Sequence, residues 1–174
     1  MFQEIGRASA IVAAGMVGIT SIGNALGRVF WAWVSDAITR RWTFVTMFLL
    51  QVGLFWVLPG LASATILTVL SFIILMCYGG GFGTMPAFSA DYFGSKNVGP
   101  IYGLMLTAWG SASAFGPLLI AHMRQSDGSY TGGLHVVASI MAVSTLLPIL
   151  VKPPMSKRAT APNSTIAVLA THSK

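Results

Sequence analysis

Arg28 is the one charged side chain set within a long apolar run of this sequence. A cation held near the middle of a bilayer costs roughly 2.5–3.5 kcal/mol, so such a residue faces a cavity or a partner. A guanidinium offers a planar fork of N–H donors that fits a carboxylate through two parallel charge-assisted hydrogen bonds. Asn24, one helical turn earlier, adds an amide on the same face, in the site or as a helix–helix hydrogen bond. The competing reading of Arg28 is that its side chain stretches to the headgroups, because Asp36 lies eight residues on, roughly 12 Å along a helix. Beyond it, Asp36, Arg40 and Arg41 make a short polar turn in which a carboxylate and two guanidinia can pair. Alternatively, the two arginines only set topology.

The elements that position these residues are membrane spans. The chain has 174 residues, 55% hydrophobic and 8% charged, against about 25% charged in a soluble domain. The apolar residues fall in blocks near the length of about 20 needed to cross a bilayer. Five spans are expected at residues 8–34, 43–58, 62–86, 99–123 and 132–151. Residues 1–7 form a short outer segment, too polar for a signal peptide, and 152–174 a polar tail expected to be disordered. The fold class is therefore all-α integral membrane. Bilayers leave backbone groups no other partners except in closed barrels, and barrel strands would alternate apolar and polar residues.

Charge gives an orientation. Of ten basic residues, seven (Arg40, Arg41, Lys96, Lys152, Lys157, Arg158, Lys174) fall on one side of these spans. Arg7 and Arg124 fall on the other. Basic residues concentrate on the cytoplasmic side, so the N-terminus is expected outside and the C-terminus inside. The net charge of +6 is thus a matter of topology, and nucleic acid is not an expected partner. Cys77 is the only cysteine, so neither a disulfide within the chain nor a cysteine metal cluster is expected. No cofactor is expected. No segment brings a nucleophile to a base, which argues against an enzyme. His122 and His135 flank an outer turn and read as interfacial polar residues. Asp36 and Asp91 are read as lying in separate cytoplasmic turns.

Glycine is used in pairs. Gly23-x-x-x-Gly27 and Gly79-x-x-x-Gly83 have the small-residue spacing by which membrane helices approach closely. Gly103, Thr107, Gly110 and Ala114 fall on one face of the fourth span, a close-packing or cavity-lining face. Gly116-Pro117 invites a kink. The glycines from Gly79 to Gly83 fail the dinucleotide pattern, because its last position is Thr84 and a membrane span precedes them.

The turn Ala32-x-Val34-Ser35-Asp36-x-x-Thr39-Arg40-Arg41 resembles the signature turn of the major facilitator superfamily. Asp36, Arg40 and Arg41 match that motif. Ala32 and Thr39 stand where the motif has glycine, and Ala37 replaces a basic residue. The stretches from Tyr78 to Gly94 and from Asn97 to Leu104 resemble the C-terminal half of the oxalate/formate antiporter family within it. The resemblance covers about residues 8–151. It implies that the five spans correspond to helices 8–12 of a twelve-helix transporter, that Asp36, Arg40 and Arg41 form a gating turn, and that an N-terminal half is the partner of this chain.

In that family an arginine on helix eight and a lysine on helix eleven are associated with carboxylate binding. The arginine carries over to Arg28. The lysine does not, because Tyr102-Gly-Leu-x-x-Thr107-Ala-Trp109-Gly110 places Trp109 there. One guanidinium beside an indole suits a monocarboxylate with an apolar or aromatic portion. The expected site is therefore Arg28, Trp109, Asn24 and Thr107. The expected function is secondary transport of a small organic anion by alternating access, in a bacterial-type inner membrane. The alternative is a non-transporting membrane fragment or assembly partner.

Overall fold

A computed structural model describes residues 9–61 and 63–151. The expected outer segment and polar tail lie outside the described residues. Among those described, the chain forms α1 (Ala10–Ala37), α2 (Arg40–Val57), α3 (Ala64–Phe93), α4 (Val98–Asp127), α5 (Thr131–Ser144) and α6 (Leu146–Leu150). Single 3-10 turns at Leu58–Gly60 and Ser95–Asn97 separate α2 from α3 and α3 from α4. Among the described residues, five helical stretches are long and apolar enough to cross a membrane, α5 and α6 together making the fifth. The protein is an integral membrane protein.

The spans differ from expectation where proline is involved. The third was expected to fade near Pro86. Instead α3 carries Pro86 within it and runs on to Phe93. A proline there removes one backbone hydrogen bond, and membrane helices tolerate the loss where neighbours and hydroxyls take up the freed groups. Asp91 is therefore a residue of the last turn of α3, not of a loop. The fifth span was expected at 132–151, and one apolar helical stretch runs Thr131–Leu150; within it α5 gives way to α6 at Thr145, which keeps helical dihedrals. Pro148 cannot donate to the Ser144 carbonyl and its ring crowds that position. α4 runs on through Pro117. It ends at Gly128 in the left-handed conformation at φ 66°, and Gly94 at φ 81° terminates α3; both are backbone shapes that glycine adopts without strain.

α1 and α3 pack through their glycines. A Cβ on Gly23 would lie 2.8 Å from the Phe72 carbonyl oxygen, and one on Gly83 would lie 2.5 Å from that of Arg28. Gly27 faces the Met76 carbonyl, and Gly79 faces that of Asn24. The two spaced pairs thus interlock, each helix placing its glycines against the other's backbone. In lipid, where apolar burial gives no net drive to association, such close approach is what holds helices together. Next to this seam, Trp31, Phe44, Met47 and Cys77 form one buried cluster. Leu58, Leu67, Ile74 and Leu134 form a second toward the other end of α2 and α3. Two buried hydroxyls of α3 are satisfied within their own helix: Thr84 donates to the Gly80 carbonyl and Ser89 to that of Met85, each at 2.9 Å. α4 differs from its neighbours in that none of its described side chains is buried, and Gly103 and Gly110 face open space.

Thr39, the N-cap of α2, has φ 143° and ψ 151°, a region that only glycine occupies freely and that costs another residue about 1–3 kcal/mol. This is the position where the facilitator motif carries glycine. Thr39→Gly removes that strain and adds back roughly 0.5–1 kcal/mol of chain entropy. The expected net effect is a stabilisation of about 1 kcal/mol, read as a higher midpoint in thermal unfolding of the chain in nanodiscs. A lower midpoint would show that the threonine side chain matters more than the backbone.

Candidate functional site

The α1 face that bears Ser21, Asn24, Ala25 and Arg28 lines an open pocket of about 280 Å³. Its residues recur at helical spacing, so the turn geometry alone stacks the amide and the guanidinium on one side. The opposite face of the same turns carries Gly23 and Gly27 against α3. Arg28 is exposed, and its guanidinium lies 6.0 Å from the centroid of the Phe82 ring on α3. Asn24 is half-buried, and its Oδ1 is buried without a hydrogen-bond partner among the described residues.

Phe82 connects α1 to α4. Its ring stands 5.5 Å from that of Trp109, edge to face at 87°. It also lies 5.2 Å from Tyr78, at 66°. The Trp109 indole N–H donates to the Tyr78 hydroxyl at 2.6 Å. Arg28 and Trp109, the two residues singled out from the sequence, therefore each approach one shared ring. Neither Phe82 nor Tyr78 was anticipated, because the stretch from Tyr78 to Gly83 reads first as a packing motif. The available signal was the four-residue spacing, which puts both aromatics on one face of α3 while Gly79 and Gly83 occupy another. Thr107 is not brought to this group. Its hydroxyl donates to the Leu104 carbonyl of its own helix at 2.7 Å. Its position two residues before Trp109 turns it to a different face of α4.

In the polar turn, Asp36 and Asp91 each stand in the last turn of a helix, α1 and α3. There the negative end of the helix dipole opposes a carboxylate. Arg40 answers both. Its guanidinium contacts Asp36 at 2.6 Å and Asp91 at 3.1 Å, and it donates to the Ser35 hydroxyl at 2.7 Å. One arginine thereby ties α1, α2 and α3 together. Asp91, read from sequence as part of a separate turn, is a member of this network. Arg41 does something different: it donates to the Ile149 carbonyl at 2.6 Å. Tyr92 reaches the Val151 carbonyl at 3.5 Å, so two side chains hold the end of α6, where helix carbonyls lack partners of their own.

Comparison with known proteins places this arrangement. The model of the Major Facilitator Superfamily matches residues 1–172. The chain belongs to the major facilitator superfamily. It is 28% identical over 158 residues to the oxalate:formate antiporter of Oxalobacter formigenes, a match covering 89% of this chain and 37% of the antiporter. It is also 28% identical over 125 residues to apicoplast pyruvate carrier 2 of Toxoplasma gondii, covering 71% of this chain and 18% of that carrier. The chain thus spans well under half the length of these two relatives. Both relatives carry the names of transport proteins, one a carrier and one an antiporter.

Proposed function

We propose that this chain forms one wall of a secondary transporter for a small organic anion, with Arg28 as the anchor of a single carboxylate. The observation that carries this reading is the placement of Arg28, exposed on the α1 pocket beside Asn24, with Phe82 and Trp109 ranged behind it. The names of the two relatives, a pyruvate carrier and an oxalate:formate antiporter, support a carboxylate as cargo. Trp109 takes the place of the lysine that the resemblance assigns to a second cation. A second carboxylate on the substrate would then lie against an indole whose N–H is already donated to Tyr78, and a desolvated charge without a partner is costly.

A test compares propionate with malonate, which differ by one carboxylate, in binding to the chain in nanodiscs. Propionate is expected to bind on the order of tenfold more tightly, about 1.4 kcal/mol. Equal or tighter binding of malonate would refute the single-anchor reading.

The turn of Asp36, Arg40, Arg41 and now Asp91 acts in this proposal as a latch on the cytoplasmic side. The N-terminus lies outside, in an inner membrane of bacterial type. Exposed ion pairs are worth about 0–1 kcal/mol each, which suits a contact that must open in every cycle. Asp91→Asn is therefore expected to speed turnover of the complete transporter less than tenfold with binding unchanged. Loss of binding in that variant would remove the latch role. The unburied span α4 supports assembly with further transmembrane helices, the N-terminal half of the carrier among them. The competing reading, an assembly partner that does not transport, is separated by reconstituted flux with that half present.

A further inference from the structure

A second cavity, also of about 280 Å³, is lined by residues of α2, α3, α4 and α5. Each of these four helices contributes one methionine to it: Met47, Met85, Met105 and Met141. Phe82 and Trp109 line it as well. Phe82 is thus shared, since the same ring lies beneath the Arg28 guanidinium. Resting on the reading of Arg28 as a carboxylate anchor, we infer that this cavity receives the apolar tail of the transported anion, so that the cargo is an amphipathic monocarboxylate.

The lining suits that occupant. Methionine side chains are unbranched and polarizable, and they adapt to tails of different shape. Ligand sites are mostly apolar with a few placed polar groups. Here the polar group is Arg28, 6.0 Å from the Phe82 ring centroid, and the apolar volume is the cavity that the same ring lines. In this inference a tail that leaves the guanidinium runs past Phe82, the residue that links the two, to reach the methionines. The Trp109–Tyr78 hydrogen bond keeps the indole N–H occupied, so the wall beside that path presents an apolar surface to the tail. The cavity also abuts the buried cluster of Phe44, Met47 and Cys77, which fixes its floor.

Gly81 supplies a clean test. It lines the cavity, and a Cβ added there meets nothing within 4 Å. Gly81→Leu therefore fills the cavity without striking the backbone. Met105→Trp fills it from α4, in case the α3 variant fails to fold. Radiolabelled acetate, butyrate and hexanoate are bound to the chain in nanodiscs, with empty nanodiscs subtracted. In the wild type, affinity is expected to rise by about fourfold per methylene until the cavity is full. In both filled variants that rise should flatten, and the hexanoate-to-acetate ratio should fall on the order of tenfold. Arg28→Ala should weaken all three acids and leave the rise intact.

An unchanged rise in the filled variants, with the Arg28 dependence still present, would overturn the tail site alone. Indifference of every acid to Arg28→Ala would overturn the anchor on which it rests. Hexanoate binding that survives Arg28→Ala undiminished, yet is lost in Gly81→Leu, would assign the cavity to a membrane lipid chain and overturn the inference.

Discussion

Arg28→Ala is expected to weaken carboxylate binding by about 10- to 150-fold while leaving the protein as stable as before or more so. Hydrogen bonds to a charged partner contribute about 1.5–3 kcal/mol, and 1.4 kcal/mol is tenfold in affinity. The effect on stability has the opposite sign. Arg28 is exposed on a face of α1 within an apolar span and has no ion pair among the described residues. Holding a cation there costs the fold roughly 2.5–3.5 kcal/mol, and alanine removes that cost. A residue that destabilises its protein and is needed for its ligand has the signature of a functional site. Arg28→Lys keeps the charge but loses the planar fork, so it should recover part of the binding. The measurement is carboxylate affinity beside thermal unfolding of the same nanodisc samples. Unchanged affinity in Arg28→Ala would end the anchor role. A fall in stability matching the fall in affinity would mean that Arg28 holds the structure together instead.

Gly27→Ala is expected to loosen α1 from α3, whereas Gly18→Ala, nine residues away on the same helix, is not. Both changes gain about 1 kcal/mol of helix propensity. At Gly18 the added methyl meets nothing within 4 Å. At Gly27 it would be driven against the Met76 carbonyl and the backbone atoms beside it. Backbone cannot rotate aside as a side chain does. Overpacking of this kind costs typically about 1–3 kcal/mol, sometimes more, and here the whole cost falls on the seam shared with Gly23, Gly79 and Gly83. Gly27→Val should therefore lower the unfolding midpoint further than Gly27→Ala, and Gly18→Ala should raise it slightly. Equal midpoints for Gly18→Ala and Gly27→Ala would show that the helices can move apart at no cost. Because Arg28 follows Gly27 directly, loss of the seam should also weaken carboxylate binding by shifting the guanidinium from Phe82.

The two glycine pairs show how much of this fold was legible in advance. Their spacing identified packing faces on the first and third spans, because small residues at i and i+4 have little other use in a membrane helix. That the two faces meet each other is a fact of assembly. The five spans and the polar turn were legible for a similar reason. Apolar length and basic flanks act locally, through the solvent on either side of the chain. The boundaries at Pro86 and Pro148 were less so. A proline states that one backbone bond is lost, but neighbouring groups determine whether the helix runs on unchanged, as in α3, or shifts its bonding locally, as at Thr145 between α5 and α6.

The same division runs through the site. Residue types and their order set the chemistry available: one intramembrane guanidinium, an amide one turn away, an indole where a second cation was expected, and a carboxylate–arginine turn. It also marked Thr39 as a departure from glycine, since the motif can be compared residue by residue. Which of these groups lie beside one another follows from how the helices pack. Asp91 joins Arg40 across fifty-one positions because α3 extends far enough to bring its last turn beside α2. Thr107 drops away because helical rotation turns it from Trp109. Arg28 and Trp109 become neighbours through Phe82, a residue that no spacing relates to both, because glycine contact between α1 and α3 and aromatic contact between α3 and α4 occupy different faces of one helical turn. Local composition sets what a side chain can do; long-range helix packing sets what it does it to.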